Sequence, residues 1–178
     1  MPDAAIARLN AAAQKEAERL LRECCGSANW ARRMAARRPF RDRGELLDAA
    51  DRIWWELGRE DWLEAFSRHP KIGEKAAAGK GSEQARQWSE QEQAGTAAGR
   101  EDVRAALAEA NRAYAARFGY IFIVCATGKT SEEMLALLRD RLQNEPRSEL
   151  RMAAEEQRKI TRLRLGKLLR KSETRIGR

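Results

Sequence analysis

Histidine is nearly absent: His69 is the only imidazole in 178 residues, and cysteine is scarce as well. Cys24, Cys25 and Cys125 are odd in number and the first two are adjacent, so no disulfide framework is implied. One histidine and no paired Cys motif leave too few ligands for a zinc site. No apolar run approaches the ~20 residues of a membrane span. The opening "MPDAAIARLN" lacks the apolar stretch of a signal peptide. These absences point to a reducing, cytoplasmic setting without a membrane partner. Internal repeats and long low-complexity runs are missing too.

What is present suits a helical protein. Apolar residues make up 43% and charged residues 35%, alanine is abundant, and the length fits one domain with a real core. The formal charge of +8 is concentrated at one end. Residues 158–178 hold nine Lys/Arg against Glu173 alone, so residues 1–157 are balanced. A balanced body with a basic last helix is a solvated end rather than a nucleic-acid site.

The dominant period is helical. Leu46, Leu47, Ala50, Ile53, Trp54 and Leu57 form one apolar stripe, and Val103, Leu107, Ala110 and Tyr114 form another. "KEAERLLRECCG" is a helix ended by Gly26, "RRPF" at 37–40 breaks the next piece, and "GELLDAADRIWWELG" stops at Gly58. Further helices are expected from near Ser89, from about 100 to 117, and from about 147 to 170 after Pro146. The expected architecture is an all-α, compact single-domain bundle of about eight to ten helices over 1–170, with a frayed basic tail at 171–178. The glycine- and lysine-rich stretch 73–88 is the expected mobile loop. "YIFIVCA", 120–126, has strand composition but no strand partner, so it is expected to be a buried, partly extended segment or the tight entry to a helix, set off by Gly119. Its main-chain groups must find partners, and a ligand is one possibility.

Four features bear on chemistry. His69 is the side chain whose unperturbed pKa lies near neutrality, and Pro70 pushes it out of helical geometry onto a fixed corner; a plain helix-end histidine is the competing reading. Ser89 and Glu92 have the S-x-x-E spacing of a capping box, or else begin a helix whose free N–H groups wall an anion pocket. "ATGKTSEE" carries Gly128-Lys129-Thr130, but Ile123 stands where a phosphate loop needs glycine, so Thr130 with Glu133 is a helix cap. Arg164, four residues after Ile160 and one after Leu163, is expected to share their core-facing side. Either its stem packs while its head reaches water, or its fork binds a carboxylate.

"DWLEAFSRHPKIGE", "WSEQEQAG", "ANRAYAARFGYIFIVCATGKT" and "EEQRKITRLRLGKL", in that order, closely resemble the 2-oxo-4-hydroxy-4-carboxy-5-ureidoimidazoline (OHCU) decarboxylase family of urate breakdown. The resemblance runs from about Leu9 to Leu169. It implies an all-helical, homodimeric, cofactor-free carboxy-lyase that converts OHCU to (S)-allantoin. On this resemblance His69 is the catalytic histidine and Glu92 acts with it. Pro70, Ser89 and Gln93 contact substrate, Phe122, Ile123, Val124, Cys125 and Ala126 offer main chain to it, and Arg164 matches an arginine of the last helix. Eukaryotic relatives often end in a peroxisomal tripeptide; this chain ends Ile-Gly-Arg, which implies a bacterial-type cytoplasmic protein. The alternatives are a helical binding module whose basic last helix meets nucleic acid or an acidic partner, and a lyase acting on a related ureido or imidazoline compound.

Overall fold

A computed structural model describes residues 3–72, 82–94 and 100–174. Among the described residues there are nine helices and no strand, as the helical periodicity requires. In chain order they are α1 (Ala4–Ala11), α2 (Gln14–Cys24), α3 (Ala28–Arg37), α4 (Arg43–Glu56), α5 (Arg59–Ser67), α6 (Glu83–Glu92), α7 (Glu101–Phe118), α8 (Ser131–Arg141) and α9 (Pro146–Thr174). Most starts are chemically marked. Asp3, Ser27, Asp42, Ser82 and Thr130 each accept a hydrogen bond from a backbone N–H of the following first turn, and Pro146 opens α9 where its missing N–H is harmless.

The chain divides into two units, Met1–Ala65 with Arg158–Arg178, and Phe66–Gln157. In the first, α2 packs on α3 and α3 on α4, burying Leu21, Trp30, Met34, Leu46 and Trp54. The indole of Trp30 donates to the Ala50 carbonyl at 3.1 Å, so its one polar atom is satisfied inside the core. Arg38 closes the end of α1 by donating to the carbonyls of Leu9 and Ala12, both at 2.6 Å. Arg158 and Arg162 both donate to Asp51, at 3.2 and 2.8 Å, and Arg164 is buried. Three of the nine basic residues in 158–178 are thus engaged within the unit rather than offered to a polyanion.

In the second unit α7 packs on α8 around Leu107, Tyr114, Phe118, Phe122, Met134 and Leu138. Gly119, at φ +83°, takes the left-handed conformation that ends α7. The chain then runs extended through 121–126 with Phe122, Ile123, Val124 and Ala126 buried, as the sequence led us to expect.

Two boundaries differ from expectation. The helix placed from Ser89 begins seven residues earlier, because Ser82 supplies the cap, accepting from the Ala85 N–H at 3.1 Å. Residues 82–88 therefore belong to a helix and its cap, while the rest of the expected loop, 73–81, lies outside the described residues. At the other end α9 continues to Thr174, and 175–178 lie outside the described residues. No described helix is long and apolar enough to cross a membrane.

Candidate functional site

Most of the candidate residues lie in the second unit. His69 lies two residues beyond α5, half-buried, with its N–H donating to the Phe66 carbonyl at 3.2 Å in a closing turn, and Pro70 follows. Two side chains from distant helices hold this corner. Gln157 of α9, fully buried, places its amide oxygen 2.6 Å from His69 Nε2. Asn111 of α7, also buried, donates to the Ile72 carbonyl at 3.1 Å. The corner is fixed at both its imidazole and its third following residue.

Ser89 and Glu92 lie three apart on one face of α6, both buried, with Gln93 next to Glu92 at the helix end. Both sequence readings of this pair needed a helix start at Ser89, and both are corrected. Ser89 is in mid-helix, where its hydroxyl donates to the Ala85 carbonyl at 3.0 Å, and the Gln93 N–H closes the helix on the Ser89 carbonyl at 3.1 Å. Glu92 therefore occupies the last turn, which holds no basic residue, at the negative end of the helix dipole. A buried carboxylate there is disfavoured by the dipole, the opposite of a cap.

The extended segment is held by side chains rather than by strands. Cys125 N–H donates to Glu156 Oε2 at 2.7 Å, Lys129 Nζ donates to the Cys125 carbonyl at 2.8 Å, and Arg141 Nη1 donates to the Ile123 carbonyl. Cys125 also reports what surrounds it. Burial first, then the Glu156 carboxylate, push its thiol up, and the charge of Glu92 adds to this against the Thr127 N–H and Lys129. Glu92 thus acts on the extended segment, and Cys125 is a neutral thiol near pH 7 rather than a nucleophile.

Beneath this segment lies a second polar cluster. Glu149, fully buried, accepts from Arg141 Nε at 2.7 Å, from the Tyr114 hydroxyl at 2.5 Å and from Asn144 Nδ2 at 2.9 Å. The Arg141 guanidinium lies over the Phe122 ring, 4.5 Å from its centroid. Burial, then the hydrogen bond to Glu149, raise the Tyr114 phenol well above its ordinary value, so it stays protonated and donating.

Arg164 belongs to the first unit and is 4% exposed, so its head does not reach water; Ile160 is buried beside it on the helix as expected, whereas Leu163 is 38% exposed and does not share the core-facing side. Its charge is felt by the thiols of Cys24 and Cys25. Burial nevertheless dominates both, raising Cys24 strongly and Cys25 to about 11. Among the described residues no group of three His, Cys, Asp or Glu side chains is placed to hold a metal ion.

Asn111, Arg141, Glu149, Glu156 and Gln157 were not singled out by the sequence, although a signal existed. Positions 103, 107, 111, 114 and 118 form the buried stripe of α7 with Asn111 in its middle, displacing the expected Ala110. On α9 the core-facing argument that found Arg164, carried back two turns at a time, reaches Gln157 and Glu149, both fully buried. A polar residue on a core-facing position was the mark in each case.

Comparison with known proteins adds to this geometry. The family model for OHCU decarboxylase matches residues 10–166. The uric acid degradation bifunctional protein TTL of Arabidopsis thaliana is 41% identical over 146 residues, covering 82% of this chain and 45% of that protein. The uric acid degradation bifunctional protein PucL of Bacillus subtilis (strain 168) is 31% identical over 153 residues, covering 85% and 30%. A crystal structure of OHCU decarboxylase in the presence of (S)-allantoin aligns with a TM-score of 0.72 at 39% identity, covering 85% of this chain and 97% of that one. The chain spans less than half the length of the curated relatives it matches.

Proposed function

This chain belongs to the OHCU decarboxylase family, and on that premise we propose that it decarboxylates OHCU to (S)-allantoin in urate degradation. The observation that carries the reading is the family match over residues 10–166, a range that contains His69, Ser89, Glu92, Gln93, residues 122–126 and Arg164. Local geometry supports it: the chain's one imidazole sits on a braced corner, in the same unit as a carboxylate placed against its helix dipole.

Breaking the bond to the leaving carboxylate releases carbon dioxide and leaves its electron pair on the ring, where the adjacent imine and carbonyl absorb it. A proton then adds to one face of the ring. The protein has to orient the carboxylate, stabilise the developing charge and deliver that proton from one side. His69 polarises the substrate hydroxyl and serves as, or organises, the proton donor. Glu92 holds ureido or ring N–H groups, which a carboxylate can only accept from. Pro70, Ser89 and Gln93 complete the contacts, and Arg164 is assigned to anionic charge. Because the Cys125 N–H is taken by Glu156, a substrate carbonyl is met by the main chain at Val124 or Ala126 instead. The active form is a homodimer, which sedimentation equilibrium checks.

The test is to supply the protein with OHCU generated in place by urate oxidase and 5-hydroxyisourate hydrolase, and to follow circular dichroism. Rapid appearance of (S)-allantoin is expected. Slow racemic product, equal to the enzyme-free control, overturns the reading.

A further inference from the structure

Gln157 has no role in the mechanism above, yet it makes a short contact to the one side chain that mechanism depends on. It is fully buried in the interior of α9, and its amide oxygen lies 2.6 Å from His69 Nε2, across 88 residues of sequence. An amide oxygen only accepts hydrogen bonds, so Nε2 carries the hydrogen, and in a neutral ring the lone pair then belongs to Nδ1. We propose that Gln157 is a positioning residue that locks neutral His69 in the Nε2–H tautomer, so that Nδ1 is the nitrogen that takes up and returns the proton. The proposal rests on the catalytic reading of His69 given above.

The choice of an amide matters. A neutral acceptor fixes the tautomer and ring orientation without holding a counter-charge against the ring, so the imidazole can gain and lose a proton during turnover. A carboxylate stands at the preceding position, but Glu156 is turned to the Cys125 N–H at 2.7 Å. Successive residues on a helix point about 100° apart, so this two-residue step braces the extended segment with a charge and the histidine with a neutral group. The corner itself is stiff, held by the Phe66 carbonyl and by Asn111 on Ile72. The contact at Nε2 bears on the rotation of the ring as well as on its tautomer.

Because the chain holds one histidine, a long-range 1H–15N spectrum of the protein shows a single imidazole, and the test needs no substrate. At a pH where the ring is neutral, the expected pattern has a pyrrole-type Nε2 and a pyridine-type Nδ1. Gln157→Met, of similar volume but with no strong acceptor, is expected to give averaged nitrogen shifts. Its kcat should fall by roughly tenfold to a hundredfold, less than the roughly 10²–10⁴ that a positioned acid or base contributes in full, with KM changed less than about threefold. Gln157→Glu keeps an acceptor at the same reach and should restore the Nε2–H pattern, which covers the case in which the methionine variant does not fold. The Nδ1–H tautomer in the parent protein, a ring still doubly protonated at pH 9, or a folded Gln157→Met with parent kcat would each overturn the proposal. A protein that shows the Nε2–H pattern but no decarboxylation would instead remove the catalytic reading and leave the tautomer assignment standing.

Discussion

The second unit contains two polar clusters of opposite character. Around Glu149 the groups are deeply buried and close on one another: Arg141, Tyr114 and Asn144 converge on one carboxylate, and Phe122 covers the guanidinium. Among the candidate residues, His69 and Cys125 are only half-buried, and the buried carboxylate of Glu92 stands in the last turn of its helix. The first arrangement makes shape, because it fastens the extended segment from beneath through the Ile123 carbonyl. The second leaves its ring and thiol partly open to solvent, as a site that must admit a substrate requires.

Substitutions should separate the two clusters. Removing one partner of the closed cluster, as in Arg141→Ala, leaves a buried charge uncompensated and should lower stability by about 3–5 kcal/mol, seen as an early transition in urea with loss of all activity. His69→Ala should do the reverse: turnover falls by roughly 10²–10⁴-fold, while the melting temperature stays close to the parent. Tyr114→Phe removes a hydrogen bond to a charged group and should cost about 1.5–3 kcal/mol. Its pH dependence is a sharper mark. The folded phenol is raised above its ordinary value near 10, so its contribution is complete below pH 10 and fades as the pH rises beyond it. Melting followed from pH 8 to 11 should therefore show a shallower alkaline decline in the phenylalanine variant. The smallest effect on stability is expected from Glu92→Gln, which keeps the shape and removes the charge: turnover should fall while the melting temperature stays close to the parent. Lost stability with unchanged turnover would return Glu92 to a structural role.

Much of this was legible in the sequence where local rules suffice. The left-handed stop at Gly119, the Thr130 cap on α8 and Pro146 at the start of α9 all stand where the residues place them. The buried extended run after Gly119 was legible because a lone strand has no other way to exist. The start of α6 was not, since Ser82 and Ser89 both head plausible helices and only packing decides between them; burial of Trp88 and Ser89 favours the earlier one. Gln157 and Glu149 stayed hidden for a different reason. Their partners, His69 and Tyr114, are 88 and 35 residues away, and no spacing rule reaches that far.

The account stands or falls on the one imidazole. Parent protein and His69→Ala, each shown to be folded by far-ultraviolet circular dichroism and a cooperative melt, are added in equal amounts to OHCU generated in place, and allantoin chirality is followed with time. The parent should give (S)-allantoin rapidly, and the variant only slow racemic product at the rate of the enzyme-free control. A folded His69→Ala that forms (S)-allantoin at the parent rate would contradict the account.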